Sequence, residues 1–266
     1  DPNFNNVKSF QLDITNFNKI RNIVEEINPD VIINATALNN VDYCERHENE
    51  ANKINFKAVS NLTKISNSLN SKFIHLSTDS VFDGTKKEPY NESDITNPVN
   101  NYGRSKLHGE NEVLKFKNNL IIRASVLYGW LPKSLSSKKT SSLKQINFAQ
   151  WLILKLKSKE KVNITSEEFS SPIISDDFAK SILHLIINKK SGIFHSAPPS
   201  CINRYDFSIK LANYLNLDPS LIIPTTTEKL GRGVTTAKNK CLNSTKLINT
   251  NFKFLKEEIL IIIHFL

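Results

Sequence analysis

Phe73-Ile74-His75-Leu76-Ser77-Thr78-Asp79 is an apolar run that ends in two hydroxyl groups and a carboxylate. It reads as a buried strand whose carboxyl end carries chemistry, and in doubly wound sheets ligands sit at the carboxyl ends of strands. The segments on either side repeat a strand-helix rhythm. Upstream, Val31-Ile32-Ile33 is a short, fully apolar run of the kind found in buried parallel strands, followed by a polar loop. A long helix comes next, marked by Ala51, Ile54, Ala58, Leu62, Ile65 and Leu69. Further upstream, Val7 to Leu12 is predicted as a strand. Ile20, Ile23, Val24 and Ile27 predict a helix with Asn16 as N-cap, stopped by Asn28-Pro29. Downstream, a helix with Pro98 in its first turn runs through Tyr102, Ser105, Gly109, Glu112 and Phe116, and Leu120 to Arg123 is the next strand.

Parallel neighbours need a crossover, and helical crossovers cover both faces of a sheet, so this alternation predicts an α/β fold with a Rossmann-like doubly wound parallel sheet. The larger domain is expected over 1–130 with parts of 143–190. Residues 131–142, inside the Ser/Lys/Leu-rich stretch from Trp130 to Ser142, read as a flexible loop. Beyond it a helix is expected from about Asn147 to Lys157. Short strands follow at Lys161 to Ile164 and Ile193 to His195, with helices near Asp176 to Ile187 and Tyr205 to Leu215. Residues from about 191 to 266 are expected to form mainly a smaller α+β substrate-binding lobe, closed by a terminal helix over Ile259 to Leu266.

The sequence of 266 residues is 39% hydrophobic and 23% charged, enough for a sizeable core. No stretch has the layout of a signal peptide, and no apolar run approaches the ~18 residues of a membrane span, so the cytoplasm is the expected address. The formal charge of +9 comes from lysines dispersed through every segment, without an aromatic-basic motif. That pattern argues against nucleic acid and suits anionic small molecules. Cys44, Cys201 and Cys241 are odd in number and lie outside metal-ligand spacing, so they are read as incidental thiols, with neither a disulfide framework nor a metal site.

Tyr102 and Lys106 lie four apart on a predicted helix, so their side chains emerge on one face. An ammonium beside a phenol favours the phenolate and lowers its pKa from about 10. Such a phenol can deliver a proton to a carbonyl oxygen while hydride reaches the carbon. Taken alone, this spacing would arise in roughly half of chains with this composition and would equally suit a surface helix pair. Thr78, at the strand end, is placed to hydrogen-bond the same oxygen. Asn34-Ala35-Thr36-Ala37 ends the Val31 strand in small residues that let a cofactor lie against the backbone.

The order of these motifs resembles that of the extended short-chain dehydrogenases/reductases, and among them the dTDP-4-dehydrorhamnose reductases. The residues that carry the resemblance are Asp13-Ile14, Asn34-Ala35-Thr36-Ala37, Asn55, Ser77 to Gly84, Asn97-Pro98, Tyr102-Gly103-Arg104-Ser105-Lys106 and Gly109-Glu110. Arg123 to Gly129, Asn147-Phe148, Ser171-Pro172 with Asp176-Asp177, and Gly192 to His195 extend it over nearly the whole chain. The resemblance implies Thr78, Tyr102 and Lys106 as catalytic residues. Tyr102 would be the general acid, Lys106 would hold the nicotinamide ribose and tune Tyr102, and Thr78 would orient the keto oxygen. It implies NADPH or NADH as cofactor, bordered by Asp13 and Ile14 at the adenine, lined by Asn34, Ala35 and Thr36, and ordered by Asn55. Thr78, Ser80 and Val81 would meet the substrate.

Two departures from the family pattern qualify this. The glycine-rich turn that receives a pyrophosphate is absent, and Gly231-Arg232-Gly233 falls too late to supply it. In the family a unit of about 30 residues holding that turn precedes the point where this chain opens, at Asp1-Pro2-Asn3-Phe4 with no methionine. A truncated record of a complete enzyme is therefore expected, and the polypeptide as it stands is expected to bind dinucleotide poorly. Ser80 and Val126 stand where the rhamnose enzymes commonly carry a tyrosine and a tryptophan. The implied reaction is reduction of a 4-keto nucleotide sugar, with dTDP-4-dehydro-L-rhamnose leading. The alternatives are a regulatory subunit similar to the beta subunit of methionine adenosyltransferase, and a nucleotide-sugar epimerase or dehydratase. The helices around Glu48 to Ser68 and Pro98 to Phe116 offer faces for a homodimer.

Overall fold

The computed structural model describes residues 7–129, 147–231 and 233–255. The expected loop at 131–142 and the terminal helix at Ile259 to Leu266 lie outside them. The centre is a four-stranded parallel sheet of β1 (Val31–Asn34), β2 (Lys72–Thr78), β3 (Leu120–Ala124) and β8 (Gly192–Ser196), in that order across the sheet. Alternation along β2 and β3 divides the core in two. Phe73 and Ile121 face Ile20 of α1 (Phe17–Ile27), Val59, Leu62 and Ile65 of α4 (Ala58–Ser68) and Val113 of α5 (Asn101–Val113). Ile74, Leu120 and Ile122 face Phe178 and Leu185 of α7 (Ser175–Ile187), Leu247 of α9 (Thr245–Ile248) and Phe252. Helices thus cover both faces, the α/β architecture expected of the alternation.

Local chemistry sets the helix boundaries. Asn16, as expected, accepts a hydrogen bond from the Lys19 N–H at the start of α1, and Asn28 closes it in the left-handed region at φ 44°. The long helix expected after the β1 loop is interrupted. It passes from α2 (Val41–Arg46) and α3 (Glu48–Asn52) through a π-helical turn, Lys53–Lys57, into α4. Asn55 sits buried in that turn. Pro98 lies ahead of α5 and outside its first turn, because Asn100 takes the N-cap by accepting from the Gly103 N–H. Phe116 falls beyond its end.

Three further expectations fail. Val7 to Leu12 forms no strand: Val7 and Phe10 are exposed, and no described strand lies beyond β1 to hydrogen-bond it. For the same reason the Val31 strand is an edge, with Ile33 48% exposed, where a strand buried on both faces was expected. Cys201 and Cys241 pair in a disulfide with their Cα atoms 5.5 Å apart, where incidental thiols were expected. Their meeting depends on tertiary pairings that sequence spacing does not encode, Phe169 with Asn203 on one side and with Asn239 on the other.

A second cluster joins α6 (Phe148–Lys157), β5 (Val162–Thr165), α8 (Arg204–Tyr214) and β10 (Ile222–Thr225) around Leu152, Ile153, Ile164, Phe207 and Leu211. Short pairings of Leu127–Tyr128 (β4) with Ile173–Ile174 (β7), and of Phe169–Ser170 (β6) with Ile202–Asn203 (β9), link this layer to the main sheet. The chain crosses between the layers repeatedly: β8, within the stretch expected mainly in the smaller lobe, is the fourth strand of the main sheet, and α6 packs in the second cluster. Among the described residues, no helix is long and apolar enough to cross a membrane.

Two glycines let α5 settle. A Cβ on Gly103 would run into the Ser80 carbonyl oxygen, and one on Gly109 would come within 2.5 Å of the Asn55 carbonyl oxygen. Gly103→Ala is expected to push the start of α5 off the turn after β2, costing about 2 kcal/mol, the middle of the range for overpacking. Chemical denaturation of variant and parent reads this directly, and equal midpoints would refute the close approach.

Candidate active site

The carboxyl end of β2 turns immediately into a 3₁₀ turn, Asp79–Val81, and α5 packs across it. Thr78 closes the strand in extended backbone, and its hydroxyl accepts from the Ser80 N–H at 3.2 Å and donates to Asp79 Oδ1 at 3.2 Å. Asp79 also accepts from the Ser80 hydroxyl at 3.1 Å and from the Ser125 hydroxyl at 2.7 Å. Ser125 in turn accepts from the Ser171 N–H, so the carboxylate ties the ends of β2 and β3 to the loop before β7. Tyr102, half-buried in the first turn of α5, lies beside Thr78, whose hydroxyl acts to lower the phenol's pKa.

Lys106 is 1% exposed. Its ammonium donates to the Leu76 carbonyl at 2.7 Å, and its Nζ lies 3.1 Å from His75 Nε2. Burial brings the Lys106 pKa down to about 8, partly offset by Glu110 one turn further along α5. The Tyr102 phenol moves the other way: burial pushes its pKa up, the Thr78 hydrogen bond partly offsets this, and the Asp79 and Cys44 charges add to the rise. The sequence expectation that Lys106 draws the phenol downward therefore differs from what the packing shows. The ammonium is committed to β2, and desolvation governs the phenol.

Beneath these groups the polar residues are satisfied in pairs. Asn34 is buried, its Oδ1 accepts from the Thr36 N–H at 3.1 Å, and its Nδ2 lies 3.2 Å from His75 Nδ1. Asn55 clasps the loop after β1 by accepting from the Leu38 N–H at 2.8 Å and donating to the Leu38 carbonyl at 3.0 Å. It also donates to the Ser105 hydroxyl at 3.0 Å, so it joins that loop to α5. Glu110 and Arg123 form a buried ion pair at 2.6 Å. Arg123 also reaches His195 Nε2 at 3.4 Å, while His195 Nδ1 faces the Tyr90 and Asn243 carbonyls at 3.0 and 3.2 Å.

The expected site residues therefore separate. Thr78 and Tyr102 meet at the turn after β2, Lys106 and Asn34 meet at His75, Asn55 joins the loop after β1 to α5, and Ala35 and Thr36 lie exposed beside Asn34. Ser80 sits beside Asp79. Val81 is fully buried with Phe82, Tyr90, Ala197 and Leu242, so it belongs to the core and its side chain does not face a ligand. Asp13 accepts from the Thr15 N–H and hydroxyl, both at 2.8 Å, which holds its carboxyl below the usual range. Ile14 packs partly on the α1/α4 core. Neither residue touches the Tyr102 group. His75 and Asp79 had no assigned role from sequence, although an imidazole inside an otherwise apolar strand was a signal for the first.

A parallel sheet covered by helices on both faces is the architecture of the short-chain dehydrogenase/reductase type. More narrowly, the model of the RmlD substrate binding domain family matches residues 2–258, and the chain belongs to that family. It is 32% identical to the probable low-salt glycan biosynthesis reductase Agl14 of Haloferax volcanii, over 88% of this chain and 75% of that protein. It is 29% identical to methionine adenosyltransferase 2 subunit beta of Danio rerio, over 86% of this chain and 69% of that protein. The crystal structure of dTDP-4-dehydrorhamnose reductase from Bacillus anthracis str. Ames in complex with NADP superposes with a TM-score of 0.87 at 27% identity, covering 100% of this chain and 91% of that one.

The buried imidazoles carry a consequence for stability. Burial, followed by the nearby cation, holds His195 at about 3 and His75 well below the ordinary 6.5. Between the folded and unfolded values the unfolded chain binds more protons, so stability is complete above 6.5 and is lost as pH falls. His195 alone is expected to remove about 2 kcal/mol between about pH 7 and pH 5, with His75 adding to the loss. Denaturation midpoints across that interval test this, and a flat profile down to the carboxylate range would exclude buried neutral imidazoles.

Proposed function

We propose that the protein is an NADPH- or NADH-dependent reductase of a 4-keto nucleotide sugar, converting dTDP-4-dehydro-L-rhamnose to dTDP-L-rhamnose in the cytoplasm. The observation that carries this reading is the placement of Tyr102 beside Thr78 at the carboxyl end of β2, with Lys106 one helical turn away and bonded to the Leu76 carbonyl. The reductases among its relatives, and the NADP of the structural neighbour, support the same assignment.

The residues present fit the nicotinamide end of such a cofactor. Ala35 and Thr36 form an exposed shelf of small residues after β1, and the Ser77 hydroxyl at the end of β2 is buried without a protein partner. Gly84 after β2 and Gly129 after β3 stand singly in the described loops that leave the carboxyl ends of the sheet strands, so these loops supply no glycine-rich pyrophosphate turn. Ala35, Thr36, Ser77, Tyr102 and Lys106 would hold the nicotinamide and its ribose, and Asp13 with Ile14 would border the adenine. When bound, the reduced nicotinamide supplies hydride.

The protein's own residues then act on the keto oxygen. The Thr78 hydroxyl orients it, and the Tyr102 phenol donates the proton that makes it an alcohol. A phenol pushed upward by burial stays protonated at neutral pH and is a ready donor. Lys106 lies one turn along the same helix, where its charge governs how easily Tyr102 is left as phenolate. Ser80 would meet the sugar, and Ser80 and Val126 stand where the family commonly offers aromatic surfaces. The faces of α3–α4 and α5 would pair two copies.

In the full-length protein, Tyr102→Phe is expected to bind reduced cofactor normally and to lower kcat for dTDP-4-dehydrorhamnose by about 10²- to 10⁴-fold, the span of general-acid catalysis. The loss of reduced-cofactor absorbance reads turnover. Cofactor binding without turnover of any keto-sugar nucleotide by the parent protein would overturn the enzyme reading and favour a regulatory subunit.

A further inference from the structure

Residues 235–243 form a strap that grips two parts of the molecule at once, and Cys241 sits within it. Along β6, the Lys238 carbonyl accepts from the Phe169 N–H at 2.7 Å and the Lys240 N–H donates to the Phe169 carbonyl at 2.9 Å. On the other side, the Cys241 carbonyl accepts from the Tyr90 N–H and the Asn243 N–H donates to the Tyr90 carbonyl, both at 2.8 Å. The Asn239 amide donates to the Lys86 and Lys87 carbonyls, each at 2.8 Å. The strap thus ties the segment that follows the turn after β2 to the short sheet of β6 and β9. Cys201, just before β9, clamps it covalently through Cys241.

Two hydrogen-bond paths lead from the strap to the reaction centre. Next to Cys241, the Leu242 N–H donates to the Ser171 hydroxyl at 3.3 Å. The Ser171 N–H donates to the Ser125 hydroxyl at 3.1 Å, and that hydroxyl donates to Asp79 at 2.7 Å, the carboxylate that also holds Thr78 and Ser80. At the other end of the strap, the Thr235 carbonyl accepts from the Asn100 amide at 3.1 Å. Asn100 is the N-cap of α5, accepting from the Gly103 N–H at 2.9 Å, and Tyr102 lies in the turn that it caps. The residue that orients the keto oxygen and the residue that protonates it are therefore both braced from this one strap.

We propose that Cys201–Cys241 is a site of thiol–disulfide exchange with a dithiol reductant, and that its redox state sets how firmly the strap braces Thr78 and Tyr102. The proposal rests on the reading of the protein as a cytoplasmic reductase, because disulfides are rare in that compartment and those found there are usually transient or redox-sensing. Cys201 is exposed and Cys241 is fully buried, so an incoming thiolate meets the Cys201 sulfur. Its attack forms a mixed disulfide on Cys201 and expels Cys241, which takes a proton from solvent. The second thiolate of the reductant then attacks its own sulfur in the mixed disulfide and expels Cys201, which is protonated in turn. Two electrons and two protons end on the cysteines, and the dithiol leaves as a disulfide. Without the cross-link, which closes a sequence separation of 40, the strap is held by hydrogen bonds alone and opens more often. Each opening releases Ser171 and Asn100 together.

The test uses the folded full-length protein, equilibrated with glutathione disulfide or with dithiothreitol, then acid-quenched, unfolded and alkylated for mass measurement. Cys201 and Cys241 are expected to take no label after the oxidant and one label each after the dithiol. Amide exchange on the same two samples is expected to quicken by about tenfold or more at Leu242, Asn243 and Gly103 on reduction, with kcat falling alongside. Cys201→Ser changes an exposed side chain and is expected to show the fast exchange in both buffers. Free thiols that persist under the oxidant overturn the proposal, as does a bridge that the dithiol opens only in denaturant. Exchange or turnover that is equal in the two states overturns it as well. So does a Cys201→Ser protein that still responds to the dithiol, since the effect would then belong to Cys44. Failure of the reductase reading alone would look different: no keto-sugar reduced in either state, while labelling and exchange still follow the dithiol.

Discussion

A lysine amine at 1% exposure, fastened to the backbone carbonyl of Leu76, fixes the rest of the site. It locks α5 to β2 at one register. From Lys106 back to Tyr102 is one helical turn, about 6 Å along the axis, and from Leu76 on to Thr78 is two strand residues, about 6.6 Å. The helix runs antiparallel to the strand, as a crossover between parallel β2 and β3 must. The two steps therefore match, and Tyr102 arrives beside Thr78. A helix slid by one residue would lose both contacts together.

Holding ionisable groups so deep is costly in isolation, and around Lys106 the fold answers by pairing them. Glu110 and Arg123 neutralise each other behind Lys106, and Arg123 meets a His195 whose other nitrogen faces two carbonyls. Asp79 gathers hydroxyls from Thr78, Ser80 and Ser125, which binds the turn where Tyr102 sits to the end of β3. Asn55 does the same for the loop after β1, and its place in a π-helical turn lets its side chain reach both that loop and α5. Gly103 and Gly109 remove the side chains that would keep α5 from these partners.

Much of this was legible in the sequence because strand-helix alternation is a local signal. The Val31, Phe73 and Leu120 strands, the Asn16 cap and the helix carrying Tyr102 and Lys106 all follow from periodicity and capping chemistry. What escaped depends on partners distant in sequence. The Val7 segment had the composition of a strand but has no described neighbour to pair with. Val81 stood in the right motif yet turned into the core with Phe82 and Tyr90. Cys201 and Cys241 meet only because β-bridges bring their segments together, and the direction of the Lys106 amine toward His75 is set by packing that helical spacing alone leaves open.

The central claim is that this geometry protonates an oxygen while its carbon receives hydride from a reduced nicotinamide. The most direct test is to supply the full-length protein with dTDP-4-dehydrorhamnose and reduced cofactor deuterated in the transferable position at the nicotinamide C4. Mass and proton spectra of the sugar nucleotide are then recorded. The account predicts one deuteron in the product, on the sugar carbon that had carried the ketone. Oxidised cofactor with no label in the sugar, or unchanged substrate beside bound cofactor, would contradict it.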